Sequence, residues 1–423
     1  MSRILLVSSE PIRPRMGGIG VRYLQMASHL AASGRQVTLI SPSAREEAAA
    51  LTPAGVTYRA FEGESLRATI AAHEAVVAQG QLANDVVLAR AGVPVVVDLY
   101  DPFLIEHLHY LPTLGLDPYR NDHASWVVQL AGGDFVLCSS EEQRLFYLGF
   151  LAALGRVNPE QAADDVDARA LIDVVPFALP AEIPAYRPML PPASPGVRRL
   201  LFGALYDWYD PWTLLDALAT LSGIDWRLLV VRHPNAALTP QRLFAELEAR
   251  ATARGWWGSR IEAIDWVPVD RRFDLLRDVD LMVAPHRPTL ETALSLRTRF
   301  LEALAVSCPV LTTTGGALGR LLVERDAGWT VAPGDAHGLA AAIREALSPG
   351  EALERRREQG RALAREFESA RVLAPLVRFL DAPRIDPTRE RFAFRPPTKA
   401  PSDSLLFRIR RRLRRELARR SGT

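Results

Sequence analysis

Residues 178–197 read ALPAEIPAYRPMLPPASPGV, and six of these twenty positions are proline. Each proline ring removes a backbone donor and fixes φ, so the segment can run neither a helix nor a central strand. It reads as a linker that divides the chain into two units. At 423 residues the chain also exceeds the comfortable size of one core. The expected division is a first domain over 1–180, the linker over 181–197 and a second domain over 198–368. A helix over 369–384 is expected to return to the first domain, followed by a basic tail over 385–423.

Each unit alternates short apolar runs with helical patterns. RILLVS reads as a strand and MGGIG as a glycine-rich loop. VRYLQMASHLAASG then sets Val21, Leu24, Ser28 and Ala31 at helical spacing before Gly34 stops it. Further strands are expected at QVTLIS, VTYRAF, DVVLAR, VPVVVDL, DFVLCSS and LIDVVPF. Past the linker come RLLFGAL, a helix at 211–221, WRLLVV, a helix at 240–254, RIEAI, DLMVAP, a helix within LSLRTRFLEALAVSC, PVLTTT and GWTVAPGD. Helices at about 336–347 and 350–367 follow. Such alternation predicts the α/β class: two Rossmann-like domains with parallel sheets, facing one cleft.

Charged residues at 24% are ordinary for a soluble globular chain. Two cysteines, Cys138 and Cys308, in apolar contexts suggest a reducing compartment without a disulfide framework. MSRILLVSSE is too short an apolar run for a secretory signal, and no apolar stretch approaches a spanning helix, so a cytoplasmic protein is expected. The net charge is +2, but residues 404–423 hold eight arginines and one glutamate. Subtracting that +7 leaves −5 for the rest. In the tail Leu406, Ile409, Leu413 and Leu417 form one apolar stripe among arginines, the pattern of a helix lying on an anionic membrane surface. A disordered tail or a docking helix remains open. Nucleic acid is disfavoured, because no aromatics interleave the cations.

DLMVAPHRPTLETALSLRTRFLEAL reads as strand, loop and helix start. Ligands of open parallel sheets bind at the carboxyl ends of strands. Backbone amides at Ser295, Leu296 and Arg297 would be unpaired donors there, and with the Arg297 and Arg299 guanidiniums they suit a diphosphate. Glu302, one turn in, is placed to accept from ribose hydroxyls; the alternative is an Arg299–Glu302 surface pair. Gly17, Gly18 and Gly20 permit close backbone approach across the cleft. Arg22, one turn on, reaches a phosphate or acceptor, or else belongs to a solvated helix face. GGIG does not match the dinucleotide fingerprint, so a nicotinamide cofactor is disfavoured. His107 and His109 lack a third ligand by spacing, so no metal is expected. Trp208, Trp256, Trp257 and Trp266 read as core or cleft wall.

EALAVSCPVLTTTGG followed by ERDAGWTVAPGDAHGLAAAI resembles the carboxyl-terminal domain of family 4 glycosyltransferases, which have the GT-B fold. PRMGGIGVRYLQMASHLAASGRQVTLISP is similar to the first loop and helix of that family. VVVDLYDPF, CSSEEQRLFYLGFLAALGRVNP and ALYDWYDPWTLLDAL are similar too, so the resemblance covers nearly all of 1–380. It implies a retaining transfer of sugar from a nucleoside-diphosphate donor on the second domain to an acceptor on the first, without metal or other cofactor. With the basic tail it suggests a carbohydrate or lipid-linked acceptor in envelope polysaccharide or glycolipid synthesis. The family's ribose-binding glutamate falls on Glu302. Its donor-sugar glutamate falls on Leu294, with Glu291 three residues earlier as the expected substitute. Gly203-Ala204 stands where the family has its phosphate-binding Gly-Arg, so Arg297, with Arg299 and Arg232, is expected to supply the positive charge. Val267, after Trp266, falls where the base lodges. Tyr100 replaces a family histidine, and Asp101 and Asp98 beside it are candidates to orient an acceptor hydroxyl or take its proton; a capped YDP turn is the structural alternative. Leu294 keeps open a non-transferring nucleotide-binding scaffold, and the same fold serves nucleotide-sugar epimerases and cyclitol-coupling enzymes.

Overall fold

A computed structural model describes residues 2–233 and 239–395. The expected amphipathic helix over 404–423 lies outside the described residues.

The first sheet contains β1 (Arg3–Val7), β2 (Gln36–Ser41), β3 (Val56–Ala60), β4 (Ala75–Gln79), β5 (Val95–Asp98), β6 (Phe135–Cys138) and β7 (Ile172–Val174). Their order is β3-β2-β1-β4-β5-β6-β7, and every pairing is parallel. The second holds β8 (Val197–Phe202), β9 (Asp225–Val231), β10 (Ile261–Ile264), β11 (Leu281–Ala284), β12 (Val310–Thr313) and β13 (Trp329–Val331), in the order β10-β9-β8-β11-β12-β13, again parallel throughout. Helices cover both faces of such sheets, so strands such as β4, β5, β6 and β11 are buried along their whole length and read as continuous apolar runs.

One expected strand is corrected. DVVLAR lies in the helix Leu82–Ala89, and the strand is the preceding AVVAQ of β4. Val86 and Val87 are buried from a helix as readily as from a strand, and a short apolar run carries no period that separates the two.

Strand order reverses between β1 and β4 and between β8 and β11, which opens a crevice at the carboxyl ends of each pair. The glycine-rich loop follows β1, and the 285–297 segment follows β11, so Gly17 and Gly18 lie at one crevice and Arg297 and Arg299 at the other. The proline-rich run between β7 and β8 contains neither helix nor strand and is held to the second sheet's side by Asp278, which accepts from the Met189 and Leu190 amides at 2.7 and 2.8 Å. Near the end of the described chain the helix Ala374–Asp381 lies on the first domain, where Phe379 stacks on Phe135 of β6 at 4.9 Å. Among the described residues no helix is long and apolar enough to cross a membrane.

Candidate active site

The two crevices meet in one cavity of about 350 Å³. The domains touch around it. Trp266 Nε1 donates to the Met16 carbonyl at 2.8 Å, and the Val269 amide donates to the Pro14 carbonyl at 2.8 Å. On the other side Tyr100 Oη donates to the Leu296 carbonyl at 3.2 Å, and Gln143 Nε2 reaches the Leu294 carbonyl at 3.5 Å.

On the second domain, the quoted segment after β11 breaks in two. A short helix, Leu290–Leu294, is capped by Thr289 Oγ1, which accepts from the Thr292 amide at 3.2 Å. The chain is extended at Ser295 and restarts as the helix Thr298–Ala305. The helix entrance therefore lies at Thr298, not at 295 as expected, and the Ser295 amide is already bonded to the Glu291 carbonyl at 2.9 Å. No side chain among the described residues caps the second helix. Its first amides and the positive end of its dipole open on the cavity beside Leu296, Arg297 and Arg299. Phe300, Leu301, Ala303 and Leu304 are buried behind it, which holds that end in place.

Glu302 sits on the cavity wall, only 4% exposed, and accepts from Arg272 Nε at 2.6 Å. Arg299 Nε is 3.8 Å from its other oxygen, so the Arg299–Glu302 pair exists, but within the cleft rather than on an outer face. Two expectations change at Glu291. It is fully buried, takes both Arg297 terminal nitrogens at 2.6 Å, and accepts from Ser295 Oγ at 2.8 Å. With its oxygens committed and the residue off the cavity wall, Glu291 shapes the loop and does not face a substrate as the expected catalytic carboxylate would. Arg297 lines the cavity, but with its charge compensated: burial opposes that charge, and Glu291 more than offsets the effect, raising the pKa above the ordinary arginine value. Arg299 is the less compensated cation. Arg232 is corrected outright: its guanidinium lies over the Phe244 ring at 5.3 Å, off the cavity wall, because the end of β9 turns it toward the helix Arg242–Ala253. Leu294 is buried and packs into the first domain's core.

On the first domain, Gly17 and Gly18 line the cavity at the amino terminus of the helix Gly18–Ala32, with Gly18 facing Thr298 across it. Gly20 packs against Met16 and is not on the wall. Arg22 and Asp98 do not meet the cleft. Arg22 is 1% exposed and Asp98 0%; their bidentate pair spans 2.8 and 3.0 Å, and Arg22 also donates to the Pro176 carbonyl at 2.7 Å. Leucines and valines of the first core leave a charge there no solvent, so each ion needs the other. Arg22 thus binds neither phosphate nor acceptor, and Asp98 is no proton acceptor for a substrate. Tyr100 lies under the Arg22 guanidinium at 4.5 Å and lines the cavity. Asp101 lines it too; burial raises its pKa, and the hydrogen bond from Gln79 Nε2 at 3.0 Å works against that rise.

Sequence reasoning missed Glu10, Glu106, Arg272 and Tyr206, all on the wall. Burial raises the Glu10 pKa, and burial with the nearby Asp101 and Glu291 charges raises that of Glu106 further. Tyr206 stacks on Trp208 at 4.8 Å, and His233 stands between Tyr206 and Trp266 at 5.8 and 5.0 Å, so Trp208 and Trp266 are cleft wall. Trp256 and Trp257 pack instead on Trp226 and Phe244. His107 is paired with Asp122 and His109 rests on Trp208. Among the described residues no group of side chains is placed to hold a metal ion.

Two facing parallel α/β domains with a cleft of charged and aromatic residues between them define the class, and comparison with known proteins agrees. Residues 198–349 match the family described as glycosyl transferases group 1. No curated protein matches the sequence. Anabaena Alr3699/HepE in complex with UDP and glucose superposes with a TM-score of 0.65 at 16% identity, over 90% of this chain and 100% of that one. Sucrose-phosphate synthase (tll1590) from Thermosynechococcus elongatus gives 0.63 at 16% identity, over 91% and 100%. The chain has the GT-B fold, and its second domain carries the glycosyl transferases group 1 pattern.

Proposed function

We propose that this protein is a glycosyltransferase that moves a sugar from a nucleoside-diphosphate donor on the second domain to an acceptor hydroxyl presented by the first, with retention at the anomeric carbon. One observation carries the reading: an uncapped helix end at Thr298 opens on the interdomain cavity with Arg299 beside it and Glu302 on its next turn. Oriented amides, a dipole end and a guanidinium suit a diphosphate. Glu302, steadied by Arg272, accepts from the ribose hydroxyls. Val267 and Trp266 wall the base. Asp101 orients the attacking hydroxyl and takes its proton as the anomeric bond to the diphosphate breaks. Closure of the domains over the cavity excludes water and limits donor hydrolysis. We place the reaction in the cytoplasm, in envelope polysaccharide or glycolipid assembly at the membrane face.

The test is nucleotide binding by calorimetry with UDP, GDP, ADP and dTDP; the HepE complex makes UDP the first of these. Arg299→Ala is expected to weaken the bound nucleotide about tenfold, the loss of one charge-assisted hydrogen bond. No binding to any of the four, or equal affinity in Arg299→Ala, would sink the donor site. Tight binding without turnover of any nucleotide sugar would favour a non-catalytic nucleotide-binding role, the reading that Leu294 supports by standing where the family pattern has a carboxylate.

A further inference from the structure

Glu10 lies just beyond β1, and its carboxylate turns back onto the amino terminus of the helix Gly18–Ala32. Its Oε2 accepts from the Gly20 amide at 2.6 Å and its Oε1 from the Gly17 amide. Among the described residues that helix has no other side-chain cap. The two oxygens therefore fill the seat that a phosphate or carboxylate would take at a bare helix end. The fit is close: a Cβ at Gly17 would stand 2.7 Å from Oε1.

The described first-domain wall offers an incoming anion no cation in exchange. Among the described first-domain residues on the cavity wall, the charged groups are Glu10, Asp101 and Glu106, with no cation. Arg22, on the same helix, is locked inward on Asp98. Arg13 is near enough to act on the Glu10 charge but is not on the wall. The cations of the cavity, Arg272, Arg297 and Arg299, all belong to the second domain. An anionic acceptor would meet three carboxyls and compete with one of them for the same amides.

We propose that Glu10 is a specificity-determining residue: a resident carboxylate that occupies the anion seat of the acceptor half and restricts acceptors to those presenting neutral hydroxyls or an amino group there. The inference rests on the transferase reading of the cleft. A lipid-linked acceptor satisfies it when its phosphates stay outside the cavity.

Glycine-selective isotope labelling lets the Gly17 and Gly20 amide resonances be followed while inorganic phosphate is added. In the wild type they are expected to stay put; in Glu10→Ala they are expected to shift saturably. Glu10→Gln, which keeps the shape and removes the charge, serves if Glu10→Ala does not fold. Equal shifts in wild type and variant, or none in a variant that melts normally, overturn the occupied seat. Against sugars and their monophosphates, the kcat/KM ratio of phosphorylated to parent acceptor is expected to rise about tenfold in Glu10→Ala, as removal of one like charge allows. An unchanged ratio overturns the acceptor restriction. Binding of UDP, GDP, ADP and dTDP on the same samples separates the two readings: absence of all four in the wild type removes the donor site, while the phosphate titration still reports on Glu10 alone.

Discussion

Glu106 faces the cavity, where burial raises its pKa and the nearby Asp101 and Glu291 charges raise it further. A carboxyl with a raised folded pKa binds its proton more tightly folded than unfolded, so its contribution is most favourable below the unfolded value and is lost as pH rises through the folded one. Glu106→Gln removes that penalty. Its melting temperature is expected to exceed the wild type's at neutral and alkaline pH, with the advantage vanishing below the ordinary glutamate value of 4.5. A constant difference across that range would mean that Glu106 ionises in the fold at no cost. The same residue scale explains why Arg297 and Glu291 act as one unit. Glu291 is fully buried and Arg297, 14% exposed, is its ion-pair partner, so their charges shape the loop before they can serve a ligand.

The loop and helix around Thr298 form the element on which the donor site depends, and its shape is fixed from behind. Gly316, at the start of the helix Gly316–Glu324, has φ +67°, and a Cβ there would lie 2.4 Å from the Thr292 carbonyl oxygen. Backbone cannot yield as a side-chain tip can. Gly316→Ala is expected to destabilise the protein by about 1–3 kcal/mol through backbone strain, with further loss from the contact. Denaturant unfolding checks this, and an unchanged midpoint would show that the Leu290–Leu294 turn moves aside freely. Among the described residues Ser140, Asp210 and Asp335 cap their helices, while Thr298–Ala305 shares an uncapped start with Arg242–Ala253 and Glu351–Arg365 and differs from them in opening on the cavity.

At the scale of the whole molecule, the first domain holds the second domain's loop. Tyr100 and Gln143 bond the carbonyls of Leu296 and Leu294, while the Leu294 side chain enters the first domain's core. The segment that leads to the donor helix is thereby shaped in part by the opposite domain, so donor affinity and closure share one set of contacts. Tyr100→Phe deletes a single bond of that set, worth about 0.5–1.5 kcal/mol. Donor KM is expected to rise about two- to tenfold, with a larger radius of gyration by X-ray scattering in the absence of ligand. An unchanged KM would show that the loop keeps its shape without the first domain.

Local pattern alone determined the α/β class and most of the strands, because strands buried on both faces must be apolar throughout. It also pointed to Glu302, Arg299, Asp101, Gly17 and Gly18, which lie on the cavity wall, since residue type and position in a strand–loop–helix unit limit what they can meet. It misplaced the strand at DVVLAR, where a short apolar run fits either period. Tertiary structure alone decided the pairings. Arg22 with Asp98, Arg272 with Glu302 and Glu10 with the Gly20 amide are separated by 76, 30 and 10 residues. A charge's role depends on what compensates it, and compensation is set by distance through space, which no spacing along the chain encodes.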